Sequence, residues 1–261
     1  MYRTGSPIDD FVGTLETASN SALLLDYDGT LAPFVEERNA AIPYPQVMPV
    51  LRDLVDSECT RVVIVSGRSA TEVAMLLRMN PLPEIWGAHG LERLLPDGTF
   101  TVGKVDRRTA RAIKDAAAWA SAQGFDDRLE RKPGGIALHW RGMDPDTIDE
   151  VSQRAFSALL PLTRINRLSL GEFDGGIELR VKSCNKGHVV ERIAREMGDA
   201  PIAYLGDDRT DEDAFRAMQG RGLSVLVRPE LRPTSAEVWL RPPDELVNFL
   251  NSWLHARGGA R

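Results

Sequence analysis

Apolar residues recur along this chain with two distinct periods. Continuous runs at Ala22 to Asp26, Arg61 to Val65, Ile85-Trp86, Ile202 to Leu205 and Leu223 to Val227 have the length of strands. They lack the alternation of a half-solvated strand and therefore predict a sheet covered on both faces. Between them lie stripes at helical spacing. These are Ile8, Phe11, Val12 and Leu15 behind a Ser6-Pro7 helix start, then Val47, Val50, Leu51, Leu54 and Val55, then Val73, Leu76 and Leu77. After the middle of the chain come Val189, Val190, Ile193, Ala194 and Met197, ended by Gly198. Thr210 to Met218 follows, and then Leu246, Phe249, Leu250 and Trp253 within Glu245 to Leu254. Strands and helices in alternation predict a doubly wound, parallel-sheet α/β fold.

The pattern breaks in the middle. Leu94 to Phe100 carries the Asp97-Gly98 turn of a hairpin. An alanine-rich helix from Asp106 to Gln123 ends at Gly124, a C-terminal cap. Two strands flank Pro133-Gly134-Gly135, the second running from Ile136 to Arg141. Asp144-Pro145 opens a helix with Ile148, Val151, Ala155 and Leu159 inward, and two more strands surround Gly171 to Gly176, the second being Ile177 to Val181. The order αββαββ predicts a smaller α+β unit, with one sheet face under two helices and the other free. On the strand from Ile136, alternation assigns Ile136, Leu138 and Trp140 to one face and Ala137, His139 and Arg141 to the other. The expected division is a core of 1–105 with 182–261 and an inserted cap of 106–181, hinged near Val102–Asp106 and Val181–Lys186.

Composition narrows the function classes. The 261 residues are 43% hydrophobic and 27% charged, as in an ordinary globular protein. A net charge of -6 and the lack of a Lys/Arg block argue against a nucleic-acid or membrane-surface partner. Met1 to Phe11 has no signal-peptide pattern, and no run reaches the ~20 apolar residues of a membrane span. Two cysteines, Cys59 and Cys184, are too few for a disulfide framework and are read as reduced thiols. The expectation is a cytoplasmic protein acting on a soluble small molecule, with oligomeric state unspecified.

The candidate chemistry lies where the predicted strands end. Leu23-Leu24-Leu25-Asp26-Tyr27-Asp28-Gly29-Thr30 stops an apolar strand on two acids. A single D-x-D-G is as well explained by a polar turn, Ser66-Gly67-Arg68 by a common turn, and Lys186 by a solvated charge. Asp207-Asp208-Arg209-Thr210-Asp211 fits a helix N-terminus equally well. Their joint occurrence is more telling, because ligands of open α/β sheets bind beyond the carboxyl ends of the strands. Three carboxylates gathered there need a cation, and oxygen-only donors suit Mg2+ better than zinc. Thr30, Ser66, Lys186 and the backbone N–H groups near Gly29 and Gly67 are donors fit to cradle a phosphate.

The order D-x-D-G-T, strand-Ser, Lys, G-D-D-x-x-D resembles the haloacid-dehalogenase (HAD) superfamily of aspartate-nucleophile phosphotransferases. More closely, the chain resembles the trehalose-6-phosphate phosphatase family. That likeness is carried by Leu25 to Leu31, Ser66-Gly67-Arg68, Gly87-Ala88-His89-Gly90-Leu91-Glu92, Lys186-Gly187 and Gly206 to Asp213, with the αββαββ insert resembling the family's cap. The resemblance implies Asp26 as nucleophile, Asp28 as acid and base, and Lys186 as the charge that offsets nucleophile and phosphate. It implies Mg2+ held by the Asp26 carboxylate, the Asp28 carbonyl and Asp207, with Asp208 or Asp211 behind them, and the phosphoryl group held by Thr30, Ser66, Gly67 and Lys186. For the sugar it points to Glu130, Lys132, His139, Arg141 and Glu178 in the cap, and to His89 and Glu92 in the core. Ser183-Cys184-Asn185 departs from the family's more proline-like linker.

The implied function is Mg2+-dependent hydrolysis of trehalose 6-phosphate through an aspartyl-phosphate. Rivals are a phosphatase of another phosphorylated glycoside or sugar acid, a phosphomutase, or a non-catalytic phosphosugar sensor. A sensor needs neither Asp26 nor Asp28, and both are present. A receiver-type signalling domain is shorter and has no insert. Whether Arg68 and Arg209 touch substrate or neighbouring carboxylates is open at this level.

Overall fold

The computed structural model describes residues 6–258 except 36, 166 and 174. In chain order, α1 (Pro7–Thr17) precedes β1 (Ser21–Leu25), α2 (Val47–Asp56), β2 (Thr60–Val65), α3 (Ala70–Leu77), β3 (Glu84–Gly87), β4 (Glu92–Leu94) and β5 (Phe100–Val102). Then come α4 (Arg107–Ala122), β6 (Leu129–Lys132), β7 (Gly135–His139), α5 (Pro145–Ile165), β8 (Leu168–Phe173) and β9 (Gly176–Val181). The chain closes with α6 (Lys186–Met197), β10 (Ile202–Gly206), α7 (Glu212–Met218), β11 (Leu223–Val227), β12 (Val238–Leu240) and α8 (Asp244–Ala256). The described residues form two compact units, one drawn from 6–101 and 185–258, the other from Val102–Cys184.

The larger unit is built on an eight-stranded sheet in the order β12-β11-β10-β1-β2-β3-β4-β5. It is parallel from β12 to β3 and antiparallel between β3 and β4. Every residue of β1 is buried, as its unbroken apolar run requires. Its side chains divide between two layers. Leu23 and Leu25 join the core beneath α1, α2, α3 and α8, whereas Ala22 and Leu24 join the one beneath α6 and α7. Truncating such a residue, as in Leu24→Ala, costs about 2–5 kcal/mol.

The strand order places the chemistry. From β1 the chain steps to β2 on one side, and on its return β10 joins β1 on the other. The crevice at that reversal lies between the ends of β1 and β10, the usual ligand position in such sheets. The short strand β12 was not anticipated from the sequence. It spans only Val238 to Leu240 and is bounded by prolines at 233, 242 and 243, so it shows no readable period.

The smaller unit has the predicted αββαββ order, with one antiparallel sheet, β6-β7-β9-β8. Asp106 caps α4 by accepting from the Thr109 N–H at 3.0 Å, as an N-terminal aspartate should. β7 ends at His139, earlier than expected. Arg141 lies in the exposed turn that follows, so the i, i+2 face relation with His139 does not hold.

Candidate active site

Asp26 follows the last residue of β1 and is tied to the neighbouring strand by its N–H, which donates to the Leu205 carbonyl at 2.8 Å. Asp207 follows β10, and Lys186 opens α6, whose N-terminus is capped by the Asn185 side chain accepting from the His188 N–H at 2.9 Å. These elements bring a lysine into the space between carboxylates. Lys186 Nζ lies 2.7 Å from Asp26 Oδ1 and 2.7 Å from Asp211 Oδ1. All of these side chains are buried.

Asp211 is saturated with donors. Oδ1 accepts from Lys186 and from the Tyr204 hydroxyl, and Oδ2 accepts from the N–H groups of Asp207 at 3.1 Å and Asp208 at 3.0 Å. Asp207 is the opposite case. Both of its carboxylate oxygens are buried with no hydrogen-bond partner among the described residues, as is Thr30 Oγ1. A buried carboxylate in that condition is costly unless a cation meets it. Oxygens of Asp26, Asp207 and Asp211 lie within 4.8 Å of one another. The donor set is carboxylate only and suits a hard divalent cation. Because Asp211 is already filled, Asp26 and Asp207 are the acids of this cluster that could hold a cation, and Asp211 fixes the N–H groups of Asp207 and Asp208.

The electrostatics follow from this crowding. Burial, opposed by Lys186 and reinforced by Asp211, pushes the Asp26 carboxyl up from 3.8 to about 7. Burial, then Asp26 and Asp211, raise Asp207 well above the carboxylate range. Burial works against the Lys186 charge, but Asp211 and Asp26 outweigh it and its affinity for the proton is raised. Lys186 is held as a cation, and the acids around it compete for too little positive charge.

Asp28 faces a different partner. Arg68 donates to it through Nε and Nη2, both at 2.7 Å, and to Glu72 through Nη1 at 2.6 Å. Arg68 therefore contacts neighbouring carboxylates, one of the two roles left open by the sequence. Ser66 Oγ accepts from the Arg68 N–H at 3.1 Å, which closes the Ser66-Gly67-Arg68 turn. The His89 ring covers that turn so closely that a Cβ on Gly67 would lie 2.9 Å from its Cε1. Gly29 is required for another reason: its φ is +83°, and a Cβ there would lie 2.2 Å from Asp207 Oδ2.

Glu92 and His89, the two sugar contacts expected in the core, each have a structural neighbour. Glu92 is buried and accepts from the Ala70 N–H at 2.8 Å, so it serves the first turn of α3. His89 is buried over Gly67. Asp208 caps the turn that follows it, accepting from the Arg209 N–H at 2.7 Å, and Arg209 is exposed.

In the smaller unit, cross-strand register sets Glu130, Ala137 and Glu178 side by side, so Glu130, Lys132, His139 and Glu178 share one sheet face. Lys132 Nζ bridges Glu178 at 2.8 Å and Glu130 at 3.7 Å, and His139 Nε2 lies 2.9 Å from Glu130. Arg180 also belongs to this face, 3.8 Å from Glu178. The sequence reading missed it, although its i, i+2 relation to Glu178 was the available signal. Also missed were Tyr204, which looks like any core aromatic, and Arg232. Arg232 donates to the carbonyls of Asp207 at 3.2 Å and Asp208 at 2.7 Å from 25 and 24 residues away.

The topology, with acids at adjacent strand ends and an αββ-repeat insert, is that of the haloacid-dehalogenase-like hydrolase fold. A haloacid-dehalogenase-like hydrolase from B. subtilis superposes with a TM-score of 0.64 at 13% identity, over 88% of this chain and 98% of that one. The C. albicans trehalose-6-phosphate phosphatase C-terminal domain gives 0.80 at 22% identity, over 97% of each chain. The trehalose-phosphatase family model matches residues 24–239, and this chain belongs to that family. It is 31% identical over 260 residues to a trehalose-phosphate phosphatase of Mycobacterium marinum, a match covering 89% of this chain. The chain spans 61% of that relative's length. Among the described residues, no helix is long and apolar enough to cross a membrane.

Proposed function

We propose that the protein hydrolyses trehalose 6-phosphate to trehalose and inorganic phosphate, with Mg2+ as cofactor. The observation that carries this reading is the pair Asp26 and Asp207 at adjacent strand ends, with Lys186 on the first and two buried, unpartnered oxygens on the second. Binders of phosphate need donors alone, and this site spends its most buried positions on acids. The choice of substrate is supported by family membership and by the name of the mycobacterial relative.

In this reading an Asp26 oxygen attacks phosphorus and the bond from phosphorus to the sugar oxygen breaks, leaving an aspartyl-phosphate. Asp28 gives a proton to the departing sugar oxygen. It then takes one from water, which attacks the same phosphorus, frees phosphate and restores Asp26. Lys186 holds Asp26 in place and offsets the charge that the phosphate brings. Thr30 Oγ1, Ser66 and the Gly67 N–H are assigned to the phosphoryl oxygens. Asp26, the Asp28 carbonyl and Asp207 would hold Mg2+, which supplies positive charge where two anions must meet. Glu130, Lys132, His139 and Glu178 are assigned to the sugar hydroxyls, for which a face of alternating acids and bases offers both acceptors and donors. Arg141, in its exposed turn, is retained as a further candidate. A cytoplasmic setting is proposed with this, supported by two cysteines that are both free thiols.

The test is a panel of sugar phosphates assayed for phosphate release with Mg2+. Trehalose 6-phosphate is expected to exceed glucose 6-phosphate and other phosphorylated glycosides in kcat/KM. Equal rates for trehalose 6-phosphate and glucose 6-phosphate would remove the substrate assignment. Release from a phosphorylated sugar acid alone would move the protein to another branch of the superfamily.

A further inference from the structure

The loop that carries Asp207 is held from two sides. On one side, Asp211 Oδ2 accepts the N–H groups of Asp207 and Asp208. On the other, Arg232 donates to their carbonyls, Nε to Asp207 at 3.2 Å and Nη2 to Asp208 at 2.7 Å. Arg228 Nη1 adds a longer contact to the Asp207 carbonyl at 3.5 Å. Both polar ends of this short backbone segment are thus fixed, while the Asp207 carboxylate itself is left without a partner.

Arg232 is braced in turn. Its Nη1 donates to Glu212 Oε1 at 2.5 Å and to the Pro233 carbonyl at 2.8 Å. Glu212, the first residue of α7, also accepts from Thr234 Oγ1 at 2.8 Å and from the Ser235 N–H at 2.8 Å. The circuit runs from the acidic loop through Arg232 to the helix beginning just beyond Asp211, and back through the 232–235 segment. A guanidinium suits this place because its planar fork spans two carbonyls and a carboxylate at once, which an ammonium cannot do. Its charge also lies beside the acidic loop without occupying a carboxylate oxygen that a cation would use.

We propose that Arg232 is the positioning residue of the divalent-cation site: it sets the Asp207-Asp208 backbone so that the Asp207 carboxylate is presented to the ion. This inference rests on the metal site proposed above. Groups that orient a metal ligand without touching the metal are worth about 10- to 100-fold in metal affinity when removed. A residue that merely stabilised the fold would lower the folded fraction and leave the affinity of folded molecules unchanged.

The experiment uses Mn2+ alone as the probe, with free ion read by electron paramagnetic resonance on the full chain. Arg232→Ala and Arg232→Lys are compared with the unaltered protein, and folded fractions are matched by circular dichroism. Arg232→Ala is expected to bind Mn2+ about 10- to 100-fold more weakly. Arg232→Lys, which keeps the charge and loses the fork, is expected to weaken it too, though less. In turnover assays the half-saturating Mg2+ concentration rises in both variants, and excess Mg2+ restores most of kcat. Should Arg232→Ala fail to fold, Arg232→Lys decides. Unaltered Mn2+ affinity in either folded variant would overturn the role of Arg232 alone. Absence of Mn2+ binding by the unaltered protein would instead overturn the metal site itself, and the inference with it.

Discussion

Arg68 grips Asp28 by both carboxylate oxygens, Nε on Oδ2 and Nη2 on Oδ1, each at 2.7 Å. The fork fixes the plane of the carboxylate assigned to proton transfer, across 40 residues of sequence. Arg68→Met removes the fork and leaves every phosphate donor in place. Its kcat is expected to fall by about 10-fold or more with KM nearly unchanged, and Asp28→Asn by about 10²–10⁴-fold, the usual worth of general acid–base catalysis. Steady-state kinetics on the two variants check the ordering.

Gly29→Ala tests the fit between the β1 turn and Asp207. The left-handed backbone at φ +83° costs a non-glycine residue about 1–2 kcal/mol. The Cβ would also lie 2.2 Å from Asp207 Oδ2, so that carboxylate must move. Urea unfolding is expected to show a loss larger than the conformational cost alone. Metal-dependent activity should fall with it.

Lys186→Met leaves Asp26 and Asp211 buried without their shared cation. Removing one partner of such a buried group costs on the order of 3–5 kcal/mol. Protonation relieves the remaining acids, so the destabilisation measured by urea titration should be smaller at about pH 5 than at about pH 8.

The acids give the metal-free protein a defined pH dependence. Burial, opposed by Lys186, raises Asp26 from 3.8 to about 7, so the folded state binds its proton more tightly than the unfolded state. The resulting stability is full below 3.8 and is lost as pH rises through about 7. Asp207, raised chiefly by burial, acts in the same direction. With a chelator present, Tm is expected to fall between about pH 5 and about pH 8, and added Mg2+ should raise Tm more at the higher pH. A chelated protein more stable at about pH 8 would contradict this electrostatic account.

Local signals made much of this molecule readable from sequence. The unbroken apolar run at Leu23 to Leu25 marked a strand covered on both sides, and its abrupt end on Asp26 marked a site. Lys186 and Asp211 were legible by type, although the saturation of Asp211 by four donors was not, because two of them are backbone N–H groups of its own loop. The partner of Glu92 was hidden for a similar reason: it is the Ala70 N–H, which has no signature in residue type. Arg232 and Tyr204 were missed because an arginine 25 residues from its acceptor and a tyrosine inside an apolar strand are unremarkable until the chain folds. In the smaller unit, family resemblance pointed to Glu130, Lys132, His139 and Glu178, which the register sets on one face, whereas period-two alternation from Ile136 overran the end of β7, which stops before Arg141.

The most direct test of the account is phosphate release from trehalose 6-phosphate by the unaltered protein and by Asp26→Asn, side by side with saturating Mg2+. Asparagine keeps the size of the side chain and removes the nucleophilic oxygen. Loss of an essential nucleophile typically lowers kcat by about 10⁴–10⁶-fold, and that collapse is the predicted result. Turnover by Asp26→Asn close to that of the unaltered protein would contradict the account at its centre.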